Sequence, residues 1–206
     1  MGAKATVRSV GRPPKEVPQG EATRKRIHQV AVRLFAERGY HGTGVAEIGR
    51  AAGVRQGALY YHIGSKEELL FEVLKRHVAE SLRGESAIAD GDRPPAEKLR
   101  LLITHHVATI ADRRDDVVIY LREQDKLTGE RADELQRLRE EVESVWWRVL
   151  REGMAAGVFR PVERVEVNGL LGLANSVFYW YRPSGPLEPE EIAERFFALA
   201  AHGITI

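Results

Sequence analysis

Ile27, Val30, Ala31, Leu34 and Phe35 stand at i, i+3, i+4, i+7 and i+8, the spacing that lines one face of an α-helix. The same period returns along almost the whole chain, and no alternating segment of useful strand length interrupts it. An all-α fold is therefore expected. Gly39 stands where the first helix would stop, and Val45 to Ala52 reads as a short second helix. The sequence "AGV" turns into a third helix beginning near Gln56. Ser65 opens a fourth with the capping-box pattern Ser-Lys-Glu-Glu, in which Glu68 occupies the third helical position. Beyond Arg83, "GESAIADGDRPP" reads as a linker, with Pro94 and Pro95 suited to a helix start. Helices are then expected from Ala96 to about Arg113, Asp116 to about Leu127, Glu130 to about Ala156, Glu163 to Tyr181 and Pro189 to His202. The long one, marked by Leu135, Leu138, Val142, Val145, Val149 and Met154, would span roughly 40 Å. The organisation expected is a flexible basic arm over 1–20, a three-helix helix-turn-helix unit over 21–67, and a helical body over 68–206.

Composition narrows what such a bundle can do. With 206 residues, 43% apolar and 30% charged, the chain can bury a full core. No run of eighteen apolar residues exists, and the first twenty residues lack the apolar segment of a secretion signal. A cytoplasmic protein with no membrane partner is expected. Without cysteine, disulfides, thiolate metal sites and thiol nucleophiles are excluded. The net charge of +1 hides an asymmetry: residues 1–83 hold 15 Lys and Arg against 8 Asp and Glu, and the rest hold 16 against 22. A basic head on an acidic body suits an anionic partner for the head.

The stretch "GVRQGALYYHIGSKEEL", Gly53 to Leu69, names that partner. On a wheel advancing about 100° per residue, Leu59 and Ile63 share one edge, while Gly57, Ala58 and Tyr61 lie opposite, flanked by Tyr60 and His62. A surface helix would ordinarily fill such positions with Lys, Glu or Gln. Small residues permit close approach, and tyrosine adds a hydroxyl and an aromatic plane. That suits a helix pressed into a DNA major groove, with Tyr60 and His62 bonding phosphates. The spacing across "AGV" is that of a helix-turn-helix.

These residues also carry a resemblance. "RLFAERGYHGTGVAEIGRAAGVRQGALYYHIGSKEELL" is similar, without a gap, to the DNA-binding domain of the tetracycline-repressor (TetR) family. The resemblance implies a homodimeric repressor with a variable ligand-binding body and a dimer formed by its last two helices. It implies that Thr43, Tyr60, His62 and Lys66 touch phosphates, and that Gln56, Gly57 and Tyr61 face bases, with Arg55 beside them. Gly44 replaces the usual Ser or Thr cap of the second helix, Gly49 a customary Ala, and Ile63 a customary Phe. In the arm, "GRPPK", beginning Gly11, Arg12, Pro13, resembles the core of an AT-hook that lies in a narrow minor groove.

The body offers no catalytic constellation. His105 and His106 are adjacent and so cannot form the i, i+4 face of a helical metal site, and neither a nucleophile elbow nor a phosphate loop is present. No cofactor or metal is expected. Polar residues at largely apolar spacing, His105, Tyr120, Gln124 and Asn175, with Trp146, are the expected lining of a small-molecule cavity. Arg148 and Arg151 are candidates for a phosphate or carboxylate, or salt-bridge partners of Glu143 or Glu152. Leu173, Val177, Phe196, Phe197 and Ala200 give the last helices an apolar excess that fits a two-fold interface. The tail "WYRPSGPLEPEEIAERFFALAAHGI" resembles actinobacterial family members that respond to acyl-CoA thioesters in lipid or steroid breakdown. An architectural DNA-binding protein without a ligand, and an all-α enzyme, stay open as alternatives.

Overall fold

A computed structural model describes residues 19–204. Most of the expected arm, including Gly11, Arg12 and Pro13, lies outside the described residues; its last two positions, Gln19 and Gly20, are already helical. Ten α-helices occur among the described residues: α1 Gln19–Arg38, α2 Val45–Ala51, α3 Gln56–Ile63, α4 Lys66–Ala89, α5 Pro95–Asp112, α6 Arg114–Glu123, α7 Gly129–Ala155, α8 Arg164–Asn175, α9 Val177–Trp180 and α10 Pro189–Ile204. A single 3-10 turn, Gln124–Lys126, follows α6, and no strand occurs among these residues.

The first three helices close over Ile27, Ala31, Phe35, Ile48 and Leu59, all essentially without exposed surface. Gly49 makes that closure possible, because a Cβ there would stand 3.1 Å from both the Leu59 side chain and the Val54 carbonyl. Full burial of a leucine contributes about 1.5–3 kcal/mol, so the missing methyl favours Leu59 over helix propensity. Gly53, at φ +64°, makes the turn between α2 and α3 in a conformation that disfavours side-chain-bearing residues.

Three sequence expectations are corrected. The stretch after Arg83 is not a linker: α4 continues through Gly84 to Ala89, and the break falls at Asp90–Pro94. Gly84 is there because a Cβ would strike the His105 ring as α5 crosses α4, a packing demand that reads locally as a helix breaker. The capping box at Ser65 is half formed. Ser65 Oγ accepts from the Glu68 N–H at 3.0 Å, but the Ser65 N–H donates to the Ile63 carbonyl at 2.7 Å. A complete box opens α8 instead, where Glu166 accepts from the Glu163 N–H at 2.8 Å. The expected helix over 163–181 is interrupted at Ser176, dividing α8 from α9.

Two apolar cores result, and α4 belongs to both. Leu69, Leu70, Val73, Leu74 and Val78 pack with the head, together with Ile119 of α6, Leu127 after the 3-10 turn and Leu135 of α7. Ala89, at the other end of α4, joins the body core of α5, α7, α8 and α10 around Trp146, Val149 and Leu150. The expected boundary between residues 67 and 68 therefore cuts the first turn of α4.

Candidate nucleic-acid interface and adjoining cavity

Helix α3 holds Leu59 and Ile63 inward and turns Gln56, Gly57, Ala58, Tyr60 and Tyr61 to solvent. Tyr61 is 87% exposed and Tyr60 45%, unusual exposure for tyrosine on a short helix. Arg55, the N-cap of α3, is exposed beside them. His62 is half-buried with its ring edge-on to Tyr61 at 5.5 Å. Lys66 opens α4 with its ammonium 4.3 Å from the Tyr40 ring centroid, a cation-π contact that fixes where the charge sits. Partial burial lowers the Lys66 pKa, and the neighbouring Glu123 opposes the shift.

Thr43 does not belong to this face. Its side chain is 1% exposed, with Oγ1 within 3.1 Å of the Leu34 carbonyl and 2.9 Å of the Gly39 carbonyl. The hydroxyl therefore satisfies orphan carbonyls at the end of α1 and is not offered to a phosphate. Gly44, the N-cap of α2, has no side-chain cap bond.

Beneath the head, α4, α5, α6, α7 and α8 enclose a cavity of about 310 Å³. Val78, Ile110, Val117, Leu121, Val142 and Leu171 make its apolar walls, and exposed Gln136, Arg139, Asn168 and Asn175 stand at its rim. Of the five residues expected to line it, Tyr120 and Asn175 do. Trp146 lies behind the wall with no exposed surface, its Nε1 donating to Glu85. His105 and Gln124 are not lining residues; the Gly84 approach draws the His105 ring against α4. Its neighbour His106 takes the lining place, bonded to Glu85 at 2.9 Å and to Asn175 at 3.0 Å. His77 also lines the cavity, tilted against Tyr120 at 5.5 Å. Burial, the His106 charge and Arg113 push the His77 pKa down to about 4. Adjacent histidines are indistinguishable in sequence, and His77 lies on the helix that joins head to body, away from the polar positions that mark the cavity in sequence.

Head and cavity share parts. Helix α6 lines the cavity with Val117, Tyr120 and Leu121, and its last residue, Glu123, accepts from the Tyr40 N–H at 3.0 Å. Arg148 pairs with Asp90 at 2.9 Å, while Glu143 and Glu152 pair with Arg164 and Lys98. No group of three or more His, Asp or Glu residues could hold a metal among the described residues, and no helix there is long and apolar enough to cross a membrane.

The expected interface residues divide. Val177 is fully buried and Ala200 is 8% exposed, both inside their own chain's core, and Leu173, Phe196 and Phe197 are half-buried. The large apolar side chains exposed on α8, α9 and α10 are Val165, Tyr179, Trp180 and Leu199.

Comparison with known proteins agrees with this geometry. Residues 27–73 match the family of bacterial regulatory proteins named tetR, and residues 92–204 match the tetracyclin repressor-like C-terminal domain. The HTH-type transcriptional repressor KstR2 of Mycolicibacterium smegmatis is 32% identical, over 93% of this chain and 95% of that protein. The structure of the ketosteroid transcriptional regulator KstR2 of Mycobacterium tuberculosis superposes with a TM-score of 0.77 at 29% identity, covering 95% of this chain and all of that one. AibR in complex with isovaleryl coenzyme A and operator DNA superposes with a TM-score of 0.78 at 27% identity, over 86% of this chain and 97% of that one. The chain thus belongs to the TetR family of DNA-binding transcriptional repressors.

Proposed function

We propose that this repressor works in the cytoplasm as a homodimer on a palindromic operator and leaves it when a small effector fills the cavity. It has no enzymatic role in this reading. Each α3 enters a major groove, with Gln56, Gly57 and Tyr61 toward bases and Arg55, Tyr60, His62 and Lys66 toward phosphates. Half-sites about 34 Å apart require the two heads to hold a fixed spacing. The observation that carries the effector mechanism is the bond from Glu123, on a cavity helix, to the Tyr40 N–H in the head. A ligand that displaces Val117, Tyr120 or Leu121 moves the same helix, and so favours a head arrangement that no longer fits the operator.

The effector proposed is an acyl group carried as its CoA thioester. A cavity of about 310 Å³ with apolar walls suits an acyl chain, and polar Gln136, Arg139 and Asn168 at the rim suit the polar carrier outside. AibR, of the same fold, is described with isovaleryl coenzyme A bound. The test begins with operator fragments selected from random DNA by the purified protein. Acyl-CoA thioesters, free acids and cationic compounds are then added to the complex while fluorescence anisotropy follows release. Release by acyl-CoA alone is expected. Release by cations alone would overturn the effector class, and no release by any class would overturn ligand control.

A further inference from the structure

Glu85 has no exposed surface, and a carboxylate removed from water must be supplied with donors. It has three: Ser81 Oγ at 3.1 Å, Trp146 Nε1 at 3.1 Å and His106 Nδ1 at 2.9 Å. The remaining nitrogen of the imidazole, Nε2, stands 3.0 Å from Asn175 Oδ1 at the cavity rim. An amide can meet that nitrogen with either end. A protonated ring donates from Nε2 and selects the amide oxygen, whereas a neutral ring, with its one proton held by Glu85, accepts and selects the amide NH2.

Burial by itself would lower the His106 pKa, but the hydrogen bond and charge of Glu85, with the Asn175 bond, outweigh it and the pKa is raised. The other groups facing His106 are few. From α4 they are Ser81 and neutral His77; from α7, the edge-on Trp146 ring at 5.8 Å, with Arg139, Glu140 and Glu143 along the same cavity. From α6 they are Tyr120 and, through His77, Arg113 at its N-cap. Glu85 alone among them makes an ion pair with the ring. With Oδ1 committed to His106, the Asn175 amide nitrogen has no partner among the described residues.

We propose that His106 fixes the donor-acceptor sense of Asn175, so that the cavity presents two N–H donors and selects effectors bearing a hydrogen-bond acceptor there. A thioester, ketone or carboxylate oxygen satisfies those donors. A ligand whose polar group is an ammonium meets an N–H with an N–H and leaves both unpaired, a mismatch that a built hydrogen-bonding site rejects strongly. His106 acts here as a positioning residue and Asn175 as the ligand contact. The inference rests on the reading of this cavity as the effector site, and adds which atom of the effector is recognised and what sets the preference.

The decisive measurement compares a pair that differs only at the carbonyl oxygen, and a second pair that sets an acceptor against a cationic donor. Octanoyl-CoA and its thioether octyl-CoA, and 2-decanone and decylammonium, are titrated calorimetrically into the full chain from pH 6 to 9. The acceptor-bearing member of each pair should bind about tenfold more tightly near pH 6.5, with the ratio falling as His106 loses its proton. Asn175→Ala, at an exposed rim position, should bring both ratios toward one, and His106→Gln should make them independent of pH. In the unliganded chain, long-range proton–nitrogen NMR should find both His106 nitrogens protonated at pH 6, and still protonated above the pH at which a free imidazole loses its proton. Equal affinities within both pairs in the wild type, or a neutral His106 at pH 6, would overturn the donor assignment and leave the cavity reading intact. Preference for the ketone with no binding of either CoA compound would support the assignment and remove CoA from the proposed effector. No binding by any of the four would overturn both readings.

Discussion

Tyr61, 87% exposed, is the most exposed of the large apolar side chains among the described residues, and in the proposed reading it faces base edges. On that reading Tyr61→Ala should relax base preference and leave the proposed phosphate contacts in place. Lys66→Ala should weaken binding to operator and random DNA alike and lower the salt slope by about one; isotherms on both DNAs at several salt concentrations separate the two. His77 gives a prediction about pH. Its pKa falls from 6.5 to about 4 on folding, so the folded chain binds that proton less tightly than the unfolded one. Its contribution to stability is complete above pH 6.5 and is lost as pH falls toward 4. His106 works in the opposite sense: raised on folding, it stabilises fully below its unfolded value and loses that contribution as pH rises through the folded one. In His77→Gln, the decline of melting temperature between pH 6.5 and 4 should be shallower than in the wild type. Tyr61 was legible in the sequence because its direction is fixed within one helix. Thr43 and the His105–His106 pair were not, since their surroundings are made by α1 and by the approach of α5 to Gly84.

Helix α6 is short, yet it has a cavity side and a head side. Glu123→Ala should leave effector affinity within about twofold while reducing the effector-induced loss of DNA affinity by about fivefold, a hydrogen bond's worth of coupling. Calorimetry for the effector, and anisotropy with and without it, measure the two quantities; equal coupling in wild type and variant would exclude the Glu123–Tyr40 route. At this scale the sequence is informative wherever an element answers to its own period, as in α1 and α7. It misleads where a residue serves a neighbour. Gly84 looks like a break and is a contact, Glu85 falls in what reads as a linker and has no exposed surface, and Ser176 interrupts a pattern that runs on apolar.

For the whole molecule, the proposed dimer would seat its second copy on the exposed apolar groups of α8 to α10. The sequence points to Phe196 and Phe197, but both are half-buried against their own core, Phe196 edge-on to Trp180 at 6.3 Å. Leu199, 64% exposed on the same helix, is the better probe. Leu199→Glu should place an unpaired charge in an apolar contact, shift sedimentation from dimer to monomer at micromolar concentration, and weaken operator binding about a hundredfold by separating the half-site contacts. A wild-type chain that sediments as a monomer would exclude the dimer. Helix α4, finally, makes the head a tenant of the body's structure. Its first turns wall one core and its last residue joins the other, and Ile119, Leu127 and Leu135 reach up to complete the head. A DNA-reading module cut after Ile63 and grafted elsewhere would arrive with one wall of its core missing, so new operator specificities are better built by exchanging side chains on α3 than by exchanging heads.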